Sequence, residues 1–270
     1  MRIPDEVANA AKKADLDAVK AWLAQQTANI DKHRDKYGWT LLHLSCLDEL
    51  TADHIALAEY LLSCGANIDR CGKAHNGPVL HLACALHFRP ESADMVGFLL
   101  RQGSDVNSKD TLHGATPLTK AIRHFYQTSD YWSSGTNIRA LDCVVKLLRA
   151  GASLDDVGQL DISDPTSNRI EAFLVDQVGT FPSLSSDEHF VACQAIIAGV
   201  RAAGSWRAFR DAPTNPWRAY ERVPRKAVLR LRSLVARGRA TTANPVFKAL
   251  FASPNEIVWH VLSFWDARIE

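Results

Sequence analysis

Apolar residues recur along this chain at helical spacing, in a succession of short segments rather than one long run. Ile55, Ala58, Leu61 and Leu62 form one stripe, Ala93, Val96, Leu99 and Leu100 a second, and Leu141, Val144, Leu147 and Leu148 a third. Steps of three and four residues put each set on one side of a 3.6-residue helix. Each stripe is followed by a glycine, Gly65, Gly103 and Gly151, the residue that accepts the left-handed conformation closing many helices. Near the start, Val7, Ala11, Leu16, Val19 and Leu23 suit a capping unit with a charged outer side. Further on, the spacing predicts helices over 168–178 and Glu188–Ala203, the second ending at Gly204.

The stripes belong to a repeat. GWTLLHLSC from Gly38, NGPVLHLAC from Asn76 and GATPLTKAI from Gly114 align, so that His43, His81 and Thr119 fall 38 residues apart. LLSCGANID, LLRQGSDVN and LLRAGASLD align on Gly65, Gly103 and Gly151, and QQTANID puts Thr27 in the same register 38 residues before Gly65. In the third copy Thr116 can cap a helix whose first turn accepts Pro117. These segments resemble the ankyrin repeat, with its G-x-T-P-L-H-x-A opening and its L-L-x-x-G-A-x-x-N close. The resemblance implies hairpin-like turns, each followed by two antiparallel helices. It also implies that His43 and His81 tie turn to helix by hydrogen bonds, and that Cys46 and Cys84 take a small buried position. Each apolar stripe then needs its neighbour as cover, which makes the stack one elongated core.

The expected fold is therefore all-α: an ankyrin-repeat solenoid plus a C-terminal helical region. Residues 1–36 are read as an N-terminal capping repeat and 37–156 as three repeats. Residues 157–204 are read as a degenerate fourth repeat in which Asp164-Pro165 stands for the T-P pair, and 205–270 as a basic linker followed by a box or cap. The copies are longer than the family unit. The distance from His43 to Gly65, and from His81 to Gly103, is 22 residues, against about 18 in the family pattern. The extra residues fall around 50–53 and 88–91, with a further insertion at 128–137 in the third copy. Such insertions form loops on one face, often the binding face.

Residues 224–270 place a basic amphipathic helix before a closing aromatic one. The order of P-R, helix, P-V-F, L-F-x-x-P and aromatic helix resembles a SOCS box, with Ser233 where that family carries a cysteine. SPNEIVWHVLSFW also resembles the opening of an F-box. This implies either recruitment of elongin or a Skp-type subunit with a cullin, or capping of the last repeat. Leu229, Leu234, Phe247, Phe251, Ile257, Trp259, Leu262, Phe264 and Trp265 carry either role.

Charge is split along the chain. Residues 1–200 hold 18 Lys+Arg against 25 Asp+Glu, a net of −7, and residues 201–270 hold 13 against 5, a net of +8. Eleven basic residues lie in 201–240 among Trp206, Phe209, Trp217 and Tyr220. That pattern is compatible with nucleic acid, although a basic segment facing an acidic body explains it as well. Six scattered cysteines in 270 residues point to reduced thiols and an intracellular protein, cytoplasmic or nuclear. No signal peptide or membrane-length apolar run is seen. Cys64, Cys71, His75, His81 and Cys84 lie close in sequence but lack the paired knuckles of a zinc module. Phosphate-loop, dinucleotide, metalloprotease and nucleophile-elbow motifs are absent.

The expected function is non-catalytic binding of a protein partner by a monomer, with no cofactor and no metal. The alternative is a substrate adaptor of a cullin-type ubiquitin ligase. The family binds through its turn tips and the inner face of its first helices. By that resemblance the partner-binding candidates are Lys36, Tyr37, Trp39, Leu47 and Asp48, then His75 and Leu86, then Leu112, His113, Arg123 and His124. Tyr131 and Trp132 in the insertion join them. Tyr37 and Trp39 rank first, because large aromatics dominate interfaces.

Overall fold

Helix starts and stops follow from local side-chain chemistry in the computed structural model. It describes residues 1–47, 50–72, 77–85, 92–123, 125, 136–155, 158 and 169–212. Asp15 caps α2 (Leu16–Leu23) by accepting from Ala18 N, after α1 (Asp5–Lys12). Thr40 begins α3 (Leu41–Leu44), ahead of α4 (Ala52–Ser63). Next come α5 (Val79–Ala85) and α6 (Ser92–Arg101). Thr116 accepts from Thr119 N at 3.3 Å and starts α7 (Pro117–Arg123), with α8 (Thr136–Arg149) following. The last helices are α9 (Ile170–Thr180), α10 (Glu188–Ala203) and α11 (Trp206–Asp211). Gly65, Gly103 and Gly151 have φ of 87°, 88° and 94°. Each closes its helix with the same pair of bonds, as in Gly65 N to Leu62 O and Ala66 N to Leu61 O, which satisfy two orphan carbonyls.

The chain divides into two units, 1–206 and 207–270. Of the second, 207–212 is described, so residues 224–270 and their proposed box or cap lie outside the described residues. The first unit is an all-α solenoid, with no strand among the described residues. α1 packs on α2 and α3, α3 on α4 and α5, and α5 on α6 and α7. α7 and α8 pair, α6 packs on α8, and α9 and α10 continue the two rows by packing on α7 and α8 respectively. The first fifteen or so residues of the expected fourth repeat, including Asp164 and Pro165, lie mostly outside the described residues.

The buried stripes of α6 and α8 include Ala93, Val96, Leu99, Leu141, Val144, Leu147 and Leu148, as the periodicity predicts, while Leu100, expected with them, is half-buried. In α4 the buried set is His54, Leu57, Ala58 and Leu61, while Ile55 and Leu62 are half-buried. The expected stripe is off by about one residue because His54 turns inward. Its Nδ1 accepts from Thr51 N at 3.2 Å and its Nε2 donates to Lys12 O at 2.9 Å, capping the end of α1. Leu50, in the expected 50–53 insertion, is 2% exposed and so belongs to the core.

Two buried imidazoles join consecutive repeats. His43 Nε2 lies 3.1 Å from Gly77 O and His81 Nε2 2.9 Å from Ala115 O. A carbonyl can only accept, so Nε2 carries the proton in both rings. His43 Nδ1 is then the acceptor for Thr40 Oγ1 at 2.7 Å. A Cβ on Gly72 would stand 2.9 Å from His43 Nε2, so this ring requires glycine beside it. In the third copy Thr119 pairs with Thr116 at 3.0 Å. There Gly158, at φ 82°, lies so close to the third turn that a Cβ would overlap Gly114 O.

A second set of links has the period of the repeat. Asp31 Oδ2 accepts from Asn67 N at 3.0 Å, Asp69 Oδ1 from Asp105 N at 3.1 Å, and Asn107 Oδ1 from Ser153 N at 2.7 Å. Asp155, the next position, meets Arg201 Nη1, and Arg201 also donates to Leu154 O and to both oxygens of Glu171.

Gly158→Ala combines a strained φ with a backbone clash, and it should cost at least about 2 kcal/mol by denaturant unfolding. Gly179→Ala, on the open side of α9 with no atom within 4 Å of the added Cβ, should instead stabilise by about 0.5 kcal/mol. Burial lowers the His81 pKa from 6.5 to about 4, outweighing its bond to Ala115 O. Its contribution is therefore fully present above pH 6.5 and lost as the pH falls from 6.5 through 4. The loss should approach roughly 3 kcal/mol, because each tenfold drop in proton affinity on folding is worth about 1.4 kcal/mol. Unfolding free energy measured from pH 7 to 4 should fall with that slope, and His81→Gln should flatten it.

Candidate functional site

The hairpin turns are shaped from within by aspartates. At the first turn Asp35 N donates to Trp39 O at 3.0 Å and Gly38 N to Asp35 O at 3.1 Å. Asp35 Oδ1 accepts from Tyr37 N at 2.9 Å and Trp39 N at 2.8 Å. One buried carboxylate thus satisfies the turn's own donors and pushes Lys36 and Tyr37 outward. Gly38, at φ 85°, makes the reversal. The third turn is built the same way. Asp110 Oδ1 accepts from His113 N at 2.7 Å and Ala115 N at 3.3 Å, and Oδ2 lies 2.7 Å from Lys120 Nζ. Burial pushes the Asp110 pKa up, but Lys120 and the two amides outweigh it, so the net shift is downward. At the second turn Gly72 N donates to Gly77 O at 3.0 Å.

These tips carry the candidates from the sequence, though not all in the expected way. Tyr37 is 58% exposed and Leu112 63% exposed, while Lys36 is exposed and His113 half-buried. Lys36 Nζ sits 5.3 Å from the centroid of the Tyr37 ring. Trp39 is 9% exposed and lies against His43, with ring centroids 5.5 Å apart. It therefore braces the turn instead of offering a contact face, because the imidazole that holds the next repeat needs a wall. Leu47 and Arg123 are half-buried. Asp48, His75, Leu86, His124, Tyr131 and Trp132 lie outside the described residues.

An open depression of about 560 Å³ runs beside the first tip, lined by Met1, Arg2 and residues 34–38. Arg34 Nη1 donates to Gly38 O at 2.7 Å and to Cys71 O at 3.1 Å, which ties the first turn to the second. Sequence reasoning missed Arg2 and Arg34, and it missed the aspartate bracing. The 38-residue spacing of Asp31, Asp69 and Asn107 was a signal for the related links between repeats.

Cys46, Cys84, Cys143 and Cys193 are buried, and burial pushes all four thiols up, Cys46 to about 12. Such thiols are poor nucleophiles at neutral pH. Among the described residues no group of three or more His, Cys, Asp or Glu side chains is placed to hold a metal. No helix among them is long and apolar enough to cross a membrane.

The family model described as ankyrin repeats (3 copies) matches residues 7–110. The matched span begins in α1, so it takes in the α1–α2 pair as well as the two following helix pairs, and it ends at the aspartate that braces the third turn. Residues 224–270 lie beyond it. No curated protein compared with the chain matches it.

Proposed function

We propose that this chain is a non-catalytic binding protein that grips a protein partner along its hairpin tips and the inner face formed by its first helices. Ankyrin repeats are a protein-interaction architecture, and that much follows from residues 7–110. The finer reading rests on one observation: Tyr37 and Leu112 stand exposed on turns whose backbone donors are already satisfied by Asp35 and Asp110. A large side chain on a rigid support binds without a heavy ordering cost. Tyrosine at such a position offers contact area together with a polar tip. The first and third copies present the two groups from equivalent turns, so a single extended partner segment could meet both. A ligase-adaptor role, or nucleic-acid binding by residues 201–240, draws on sequence pattern alone.

The test is selection of a proteome-derived peptide library on the full chain, with the selected peptides then titrated against variants. Tyr37→Ala combined with Leu112→Ala should weaken binding at least about tenfold, the effect of losing hot-spot contacts. Val175→Ala, an exposed change on α9, should leave it unchanged. The two surface changes should also leave the melting temperature within a few degrees of the parent. Peptides that bind all three proteins equally would place the partner surface elsewhere.

A further inference from the structure

We propose that the first hairpin and the depression beside it form an anion site that receives carboxylate side chains from an acidic segment of the protein partner. The inference rests on the reading of the hairpin tips as the partner surface, and it names the partner's chemistry there. Its basis is a segregation of charge by sign. The hairpin aspartates are tied to backbone donors, and Asp35 and Asp110 are buried. Asp31 and Asp69 accept from the backbone of the following repeat, Asp35 and Asp105 from their own turns, and Asp110 from its turn and Lys120. The buried pair is withdrawn from the surface, which leaves Lys36 as the exposed charge at the first tip.

Cations converge at the first turn. Arg2, Arg34 and Lys36 line the depression together with exposed Tyr37. Asp5 lies 3.6 Å from Arg2 and 3.8 Å from Lys36, one carboxylate between two cations. Arg34 is half-buried and held by two carbonyls through Nη1, so its guanidinium is pre-positioned. Burial first, and then neighbouring Arg70, lower its pKa against the opposing pull of Asp31 and Cys71. The guanidinium stays cationic at neutral pH, and an incoming carboxylate would meet it with charge-assisted hydrogen bonds. The tyrosine ring beside it gives the partner backbone an apolar wall. A peptide with spaced carboxylates suits this arrangement better than a nucleic acid. Three cations around one depression do not make the long track that a phosphate backbone requires, and the net −7 of residues 1–200 repels a dense polyanion beyond the reach of the tips.

The experiment uses the full chain and three fluorescein-labelled probes: a ten-residue alternating Glu-Gly peptide, its Gln-Gly counterpart, and a ten-nucleotide single-stranded DNA. Anisotropy is read at low and moderate salt. The Glu peptide should bind at least about tenfold more tightly than the Gln peptide and weaken with salt. Arg2→Gln and Lys36→Gln, both exposed positions, should each weaken it roughly threefold and together roughly tenfold. Arg101→Gln, exposed at the end of α6, should have no effect. Equal binding of the Glu and Gln peptides overturns the proposal, as does indifference to both charge changes. Tighter binding of the DNA overturns it in favour of a nucleic-acid surface. Library-selected peptides that need Tyr37 and Leu112 but carry no acidic residues would keep the hairpin reading and overturn the anion site.

Discussion

A buried imidazole bonded to a carbonyl of the following repeat is the interaction on which this architecture turns. A pair of short helices cannot cover its own apolar stripe, so each repeat is stable only in the register that its neighbour imposes. His43 and His81 set that register by donating to Gly77 O and Ala115 O. Burial keeps the His81 ring neutral, which leaves the other nitrogen an acceptor, and each ring needs space beside it. Thr40, Gly72 and Trp39 supply the acceptor's partner, the space and the wall at the first junction. Where Thr119 replaces histidine, backbone approaches backbone directly at Gly158 and Gly114. Two different residues thus solve one problem: how to hold a projecting turn against the turn before it.

The outer edge of the stack is held differently. Asp31, Asp69 and Asn107 each reach forward to a backbone N–H of the next repeat, and such a series needs an ending. Arg201 provides one. Its guanidinium occupies the carboxylate of Asp155, the next position in the series, together with Leu154 O and Glu171. The acceptors of the third copy are met by a side chain from α10, the last helix of the stacked rows among the described residues. The ion pairing with Glu171 keeps that carboxyl below its usual range and the guanidinium above its own.

Much of this was legible in the sequence because it is periodic. The glycine caps and most of the α6 and α8 stripes follow from residues that return at fixed spacing, and the roles of His43 and His81 were what the ankyrin resemblance implied. The α4 stripe was misplaced because His54, polar and outside the motif, is buried to cap α1, a tertiary bond that no helical period encodes. Tyr37 and Trp39 looked alike as candidate contacts, two aromatics on one turn. Their separation depends on Asp35, whose carboxylate fixes which of the two points out, and on His43, which needs the other as its wall. Arg2 was invisible as a site residue because it comes to the first tip only through folding. The α9 and α10 helices were found by pattern. Their packing on α7 and α8 is where a degenerate fourth repeat over 157–204 was expected to sit.

The bracing of the turns and the character of the surface have a common cause. A hairpin of this kind leaves several backbone N–H groups without partners in regular structure, and each left unsatisfied on burial would cost on the order of 1–3 kcal/mol. Aspartate answers this with one short side chain, as Asp35 and Asp110 do. Doing so hides a negative charge, while Lys36 on the same turn stays exposed. A repeat body that is acidic in total can therefore show a basic edge, and the sign of the net charge says little about what that edge attracts. At the first hairpin this division leaves Lys36 and Tyr37 exposed, while Asp35 and Arg34 hold the turn together.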